Sequence, residues 1–264
     1  MNYYIVSDVH GFYKELVIAL KDKEYYTDPK PHKLIICGDL FDRGKEALKV
    51  QDFVLNLMAK NEVVLVRGNH EDLVLDLLDY ANEYFYNKVA IPRLHHYRNG
   101  TIDTLLQLTG LSYEEAISNV PAFVKAARQT PYISKIIPAM LNYFETEKYI
   151  FVHGWIPCIK YHSDNFSFYK PYDGEWRNAD EKAWERARWY NGIECACGSN
   201  ILEPTKTIVC GHYHCSYGHF TYGFGIEEMG KLADFSPFFA NGIIAIDACT
   251  AYSGKVNCIV LSET

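Results

Sequence analysis

The chain has 264 residues, 48% of them hydrophobic, with a formal net charge of -7 and a pI near 5.8. That length buries a full core and favours one α/β domain with an elaboration over two equal domains. The acidic balance leaves no basic footprint, which argues against a large nucleic acid as partner. No apolar run is long enough to span a membrane, and the chain starts directly on a strand-like segment, Met1-Asn2-Tyr3-Tyr4, so a soluble cytoplasmic protein is expected.

Taken in order, Tyr4-Ile5-Val6 reads as a buried strand running into Ser7-Asp8-Val9-His10-Gly11. Residues 12–22 keep helical spacing through Leu16, Val17 and Leu20, and Pro29 and Pro31 mark a loop. Leu34-Ile35-Ile36-Cys37 is the second strand and ends in Gly38-Asp39-Leu40-Phe41-Asp42-Arg43-Gly44. An amphipathic helix follows, with Ala47, Leu48, Val50, Val54, Leu57 and Met58 expected on one face. Val63-Val64-Leu65-Val66 then runs into Arg67-Gly68-Asn69-His70-Glu71. Strand, polar turn and helix in alternation predict a parallel sheet with right-handed crossovers, whose chemistry lies at the C-terminal strand ends.

The texture changes after Glu71. Residues 72–141 are read as a helical cap insertion, with helices around 101–108, 113–119 and 122–128 and a Tyr-, Asn- and His-rich stretch at 80–97. Strands resume at Tyr149-Ile150-Phe151-Val152, ending in His153-Gly154, and at Thr207-Ile208-Val209-Cys210, ending in Gly211-His212-Tyr213-His214. Between them residues 161–178 read as irregular and aromatic, and Glu181 to Tyr190 as a short charged helix. Residues 242–248 and 255–261 are expected to close the chain as a hairpin through Ser253-Gly254. The eight cysteines lie largely in or beside apolar runs and are read as reduced thiols. Cys195, Cys197, Cys210 and Cys215 lack the paired spacing of a structural zinc site.

Imidazoles and carboxylates gathered at strand ends suit a first-row divalent pair better than an all-oxygen calcium cage. Asp8 and His10, two residues apart, are expected to turn toward one ion, Asp39 to bridge, and Asn69, His153 and His212 to hold the second. Such a pair makes a hydroxide available for in-line attack on phosphorus. His70 is then placed to protonate the leaving oxygen, Asp42 to orient its ring, and Arg43 to grip phosphate with a planar fork. A lone Asp-x-His is weak, whereas Gly-Asp-x-x-Asp-Arg-Gly and Gly-Asn-His-Glu after apolar strands are specific.

These strings, with His153 and Gly211-His212-x-His214, resemble the calcineurin-like metallophosphoesterases. The Asp-Arg-Gly and Asn-His-Glu endings are similar to the PPP-type serine/threonine protein phosphatases, in particular their compact bacterial and phage members. The tail from Ile246 to Val256 is also similar to that group. The resemblance implies a four-layer α-β-β-α sandwich, one domain over 1–264 with the insertion at 72–141, and phosphomonoester hydrolysis by a metal-bridging hydroxide. It assigns Asp8, His10 and Asp39 to one ion, and Asp39, Asn69, His153 and His212 to the other, with manganese the first expectation and iron or zinc the alternatives. It also implies His214 as a further ligand, Asp42 and His70 as the acid pair, Arg43 on phosphate, and Arg186, with Arg188 close behind, as a second phosphate-binding arginine. Trp155, where a small residue is usual, is expected to narrow the mouth of the site.

The resemblance therefore implies a phosphoprotein, phosphopeptide or small phosphorylated substrate. A hydrolase similar to the symmetrical diadenosine tetraphosphate hydrolases shares nearly the same ligands, with the aromatic stretch at 161–176 then stacking on bases. A non-catalytic scaffold is the third reading, and the full complement of metal-ligating residues weighs against it.

Overall fold

A computed structural model describes residues 1–86, 96–163 and 166–263. Two β-sheets face each other at its centre. The first has the order β11-β1-β2-β3, with β1 Asn2–Val6, β2 His32–Cys37 and β3 Val63–Val66 parallel and β11 Ile259–Ser262 antiparallel to β1. The second has the order β4-β5-β8-β10-β9, in which β5 Tyr149–Phe151, β8 Thr207–Cys210 and β10 Ile243–Ala245 are parallel. Its edges, β4 Phe144–Glu145 and β9 Phe238–Ala240, run antiparallel.

Alternation along each strand builds the layers. Ile5, Ile35, Cys37 and Val66 point inward to meet Phe151, Val209, Ile244 and Ile246 between the sheets. Tyr4, Val6, Leu34, Ile36 and Leu65 point outward into a core shared with the helices α1 Tyr13–Asp22, α2 Ala47–Ala59 and α3 Asn69–Asp79. On the far side Ile150, Val152, Ile208, Cys210 and Ile243 pack on Trp184, Tyr190 and Ile193. Strands buried on both faces explain why the sequence shows continuous apolar runs rather than a polar alternation. The architecture is the α-β-β-α sandwich expected from the sequence.

The helices Thr101–Thr109, Tyr113–Ser118 and Val120–Gln129 of the 72–141 span contribute Ile102, Leu105, Ala116, Phe123 and Ala127 to the same core as β1–β3. Part of the Tyr-, Asn- and His-rich stretch, 87–95, lies outside the described residues.

Several expectations are corrected. On α2, Leu48 is exposed and Gln51 is buried instead, because its Oε1 accepts the Tyr132 amide at 3.0 Å. The 161–178 stretch read as irregular is in part regular: β6 Cys158–Ser163 and β7 Phe166–Pro171 form an antiparallel pair. The tail is not a hairpin. A short helix, Thr250–Ser253, carries the chain from β10 in one sheet to β11 in the other, where the edge of β1 offers unpaired backbone groups. Trp155 does not narrow a mouth; it is buried in the second core, and its indole N–H donates to the Ile201 carbonyl at 3.2 Å.

Candidate metal centre

The ends of β1, β2, β3, β5 and β8 bring the polar side chains to one edge of the sandwich. The turns are knit together by main-chain bonds: the Asp8 amide donates to the Gly38 carbonyl at 3.2 Å, His10 to Asp39 at 2.9 Å and Gly11 to Leu40 at 2.8 Å. Asp8, His10, Asp39, Asp42, Arg43 and His212 all have positive φ, between 50° and 73°. Six non-glycine residues in the left-handed region at one edge represent stored strain, held by the surrounding bonds. Gly38 and Gly68 let the turns close up: a side chain at Gly38 would strike the His153 ring, and one at Gly68 the Asp39 carboxylate.

Asp39 is the centre. Its Oδ2 lies 3.8 Å from His10 Nε2 and 3.8 Å from His70 Nε2, while Oδ1 lies 3.4 Å from His153 Nε2. Two sets of donor atoms result, His10 with Asp39 and His70, and Asp39 with His153 and His212, each within 4.8 Å. Asp8 Oδ1 stands 3.9 Å from His10 Nε2, and Asn69 Oδ1 accepts from His153 Nε2 at 2.8 Å.

The donor set fits a pair of divalent ions. Nδ1 of His10 donates to the Phe41 carbonyl at 2.9 Å and Nδ1 of His153 to the Cys37 carbonyl at 2.8 Å, which turns both Nε2 atoms inward, as metal-ligating histidines are usually held. The chemistry of the donors, imidazole, carboxylate and one amide oxygen, suits manganese, iron or zinc. Between His10 and His70 the Arg43 guanidinium donates to both Nε2 atoms, at 2.9 and 3.2 Å, so a positive group already sits on those lone pairs.

Burial alone would raise the Asp39 carboxyl, yet the His153 and His70 rings outweigh it and hold it well below the usual range. Burial would lower His153, and Asp39 reverses this, raising it to about 10. His212 is driven down to about 3 by burial and by the neighbouring His153. His70 is raised: Asp39 and its bond to Asp42 overcome the burial cost.

His70 Nδ1 donates to Asp42 Oδ2 at 2.6 Å. The same carboxylate oxygen accepts the Thr101 hydroxyl at 2.9 Å, and the Asp42 amide donates to Thr104 Oγ1 at 3.0 Å. Glu71 accepts three amides, from Gly68 at 2.8 Å, Asp39 at 3.0 Å and Leu40 at 3.0 Å. Asp247, buried behind Asp8, accepts the Cys249 amide at 2.7 Å and adds to the burial that raises the Asp8 carboxyl. Sequence reasoning gave no role to Thr101, Thr104, Glu71 or Asp247. Only Glu71 carried a local signal, its place three residues after Gly68 at a helix start.

Three residues lie apart from these clusters. His214 caps the helix Cys215–Tyr222, accepting the Tyr217 amide at 3.3 Å, and its Nε2 lies 3.3 Å from Glu228. Arg188 is buried in ion pairs with Asp72 at 2.6 Å and Glu181 at 2.7 Å, which leaves it no fork for substrate. Arg186, two residues earlier, lines a cavity beside Trp189.

The sequence profile of the calcineurin-like phosphoesterases matches residues 1–234, and the chain belongs to that family. The family uses a dinuclear divalent metal centre. It is 30% identical over 163 residues to an asymmetrical bis(5'-nucleosyl)-tetraphosphatase of Halalkalibacterium halodurans, covering 59% of this chain and 58% of that one. An asymmetrical bis(5'-nucleosyl)-tetraphosphatase of Anoxybacillus flavithermus is 38% identical over 78 residues, 27% of this chain and 32% of its own. Serine/threonine-protein phosphatase 1 of Salmonella typhimurium is 36% identical over 73 residues, 28% of this chain and 31% of its own. The chain thus spans at most 58% of the length of these relatives. Among the described residues no helix is long and apolar enough to cross a membrane.

Proposed function

We propose that this chain is a metal-dependent phosphoester hydrolase whose reaction is organised on Asp39. The observation that carries the reading is the sharing of one buried carboxylate between two imidazole clusters, one oxygen facing each. Asp8, His10 and Asp39 would hold one ion and Asp39, Asn69, His153 and His212 the other. When bound, the ions neutralise phosphate charge and lower the pKa of water for attack on phosphorus.

The protein's own groups do the rest. Arg43 offers a planar fork to the phosphoryl oxygens. His70, raised by Asp39 and Asp42, would give a proton from Nε2 to the leaving oxygen once the Arg43 guanidinium has turned from that nitrogen to the phosphate, while Asp42 and Thr101 fix the ring. Burial of this edge excludes bulk water and strengthens each charge interaction. His214 is retained as a ligand only in a rearranged site. Residues 1–264 are read as one domain with a helical insertion at 72–141; the shared core with β1–β3 and the reach of Thr101 and Thr104 to Asp42 support this.

Two substrate classes fit the same centre. A serine/threonine protein phosphatase of the PPP type is favoured by the Asp-Arg-Gly and Asn-His-Glu strings, and the Salmonella relative carries that activity in its name. A dinucleoside polyphosphate hydrolase is favoured equally by the tetraphosphatase relatives. Phosphate release by manganese-loaded protein from a phosphothreonine peptide and from diadenosine tetraphosphate, with His70→Asn as control, decides between them. Turnover of neither substrate overturns the hydrolase reading.

A further inference from the structure

The wall of the metal centre behind His212 is shared with a second space. The indole of Trp189 meets the His212 ring edge-on, at 5.8 Å between centroids and 83° between planes. Trp189 also lines a cavity of about 560 Å³, together with Ile159, Lys160, Tyr172, Arg186 and Tyr190. We propose that this cavity is a subsite for the nucleoside part of a 5'-nucleotide, with a base on Trp189 and Tyr172 and its phosphate drawn by Lys160 and Arg186. The inference rests on the hydrolase reading and names the substrate class of that site.

Chemistry and size carry it. Among the described residues two cations, Lys160 and Arg186, and no carboxylate line the cavity, in a chain whose net charge is -7. Arg188 on the same helix end is consumed by Asp72 and Glu181, whereas Arg186 has the Tyr190 hydroxyl as its described polar neighbour. Three of the lining side chains are π surfaces. Trp189 is 43% exposed, which leaves surface for a ligand, while Tyr190 is buried, with its hydroxyl donating to the Cys158 carbonyl at 3.1 Å. Pockets of roughly 300–1,000 Å³ hold ligands of this class. A phosphoserine side chain fills far less, and an extended peptide would want a groove with free main-chain partners.

Of the aromatic stretch at 161–176 expected to stack on bases, Tyr172 lines this cavity. Trp176 is buried in the second core and Tyr161 lies on the β6–β7 pair, stacked on Phe168 at 5.6 Å. Beside Tyr172 stands Trp189, two residues past the charged helix Glu181–Ala187, whose edge contact with His212 links the cavity lining to the candidate ligand set.

The test compares equilibrium binding of AMP with ribose 5-phosphate, which lacks the base. It uses the full chain with a chelator to stop turnover, and again with manganese in the His70→Asn background. AMP is expected to bind at least ~10-fold more tightly, as stacking on an aromatic side chain implies. Trp189→Ala should erase that preference and Trp189→Phe should keep most of it. Equal affinity for the two ligands, or a preference that survives Trp189→Ala, overturns the subsite. Both results are independent of whether the wild type releases phosphate, which judges the hydrolase reading separately.

Discussion

The Glu71 carboxylate accepts the Asp39 amide at 3.0 Å, joining the start of α3 to the turn after β2. The same group takes the amides of Leu40 and Gly68, so one buried side chain fixes both turns that flank the bridging carboxylate. Glu71→Gln replaces an acceptor-only group with one that turns a donor toward an amide. The expected cost is about 1.5–3 kcal/mol, since hydrogen bonds to a charged group are broken. Metal affinity should fall about 10–100-fold. Thermal unfolding and metal titration measure the two effects, and an unchanged metal affinity would show that the turns hold Asp39 without Glu71.

His70 touches Asp42 at 2.6 Å, and its Nε2 reaches the space beside Asp39. His70→Asn should lower kcat by about 10²–10⁴, the usual worth of a positioned acid, with both ions retained. Metal content by mass spectrometry, alongside initial rates, checks both halves. Full turnover in this variant removes His70 from the acid role.

Asp39→Asn takes the negative charge from a carboxylate that the buried rings of His153 and His70 hold ionised. Both ions should be lost at micromolar metal, because neither imidazole set keeps an anionic bridge. A stoichiometry equal to the wild type after gel filtration would sink the bridging role.

Glu145 lies between Arg177 at 2.8 Å and Lys206 at 2.7 Å. Its hydrogen bonds from Arg177 lead in depressing its pKa to about 2, with Lys206 adding to the shift. A depressed carboxyl stabilises the fold above its unfolded value, ~4.3, and that contribution disappears as pH falls through the folded value. The Tm difference between wild type and Glu145→Gln should therefore be present at about pH 6 and close as pH falls from ~4.3 toward ~2. A difference that stays constant across that window would show that packing, not charge, accounts for it.

The convergence of His10, Asp39, His70, His153 and His212 was legible because each follows an apolar strand, and parallel strands necessarily end on one edge. What the sequence hid was long-range. β11 pairs with β1 across nearly the whole chain, and no local pattern separates that arrangement from a closing hairpin. The β6–β7 pair was missed because Cys158–Ser163 and Phe166–Pro171 carry no uninterrupted apolar run and pair with each other as a ribbon outside the main sheets. Trp155 was misleading for a related reason. A polar or aromatic residue next to a motif inherits its proximity, while the backbone decides whether the side chain enters the core, caps a helix or faces the ions. Arg188 follows the same rule, since Asp72 and Glu181 arrive from distant segments.

The guanidinium of Arg43 resting on the imidazoles of His10 and His70 has a kinetic meaning. It works as a tethered placeholder: two inward lone pairs that would repel one another in a dry pocket are kept apart and pre-aimed by an internal cation. An ion held by His10 would take the place of that guanidinium, so the residue that would hold the metal and the fork that would grip phosphate are tied together through one contact.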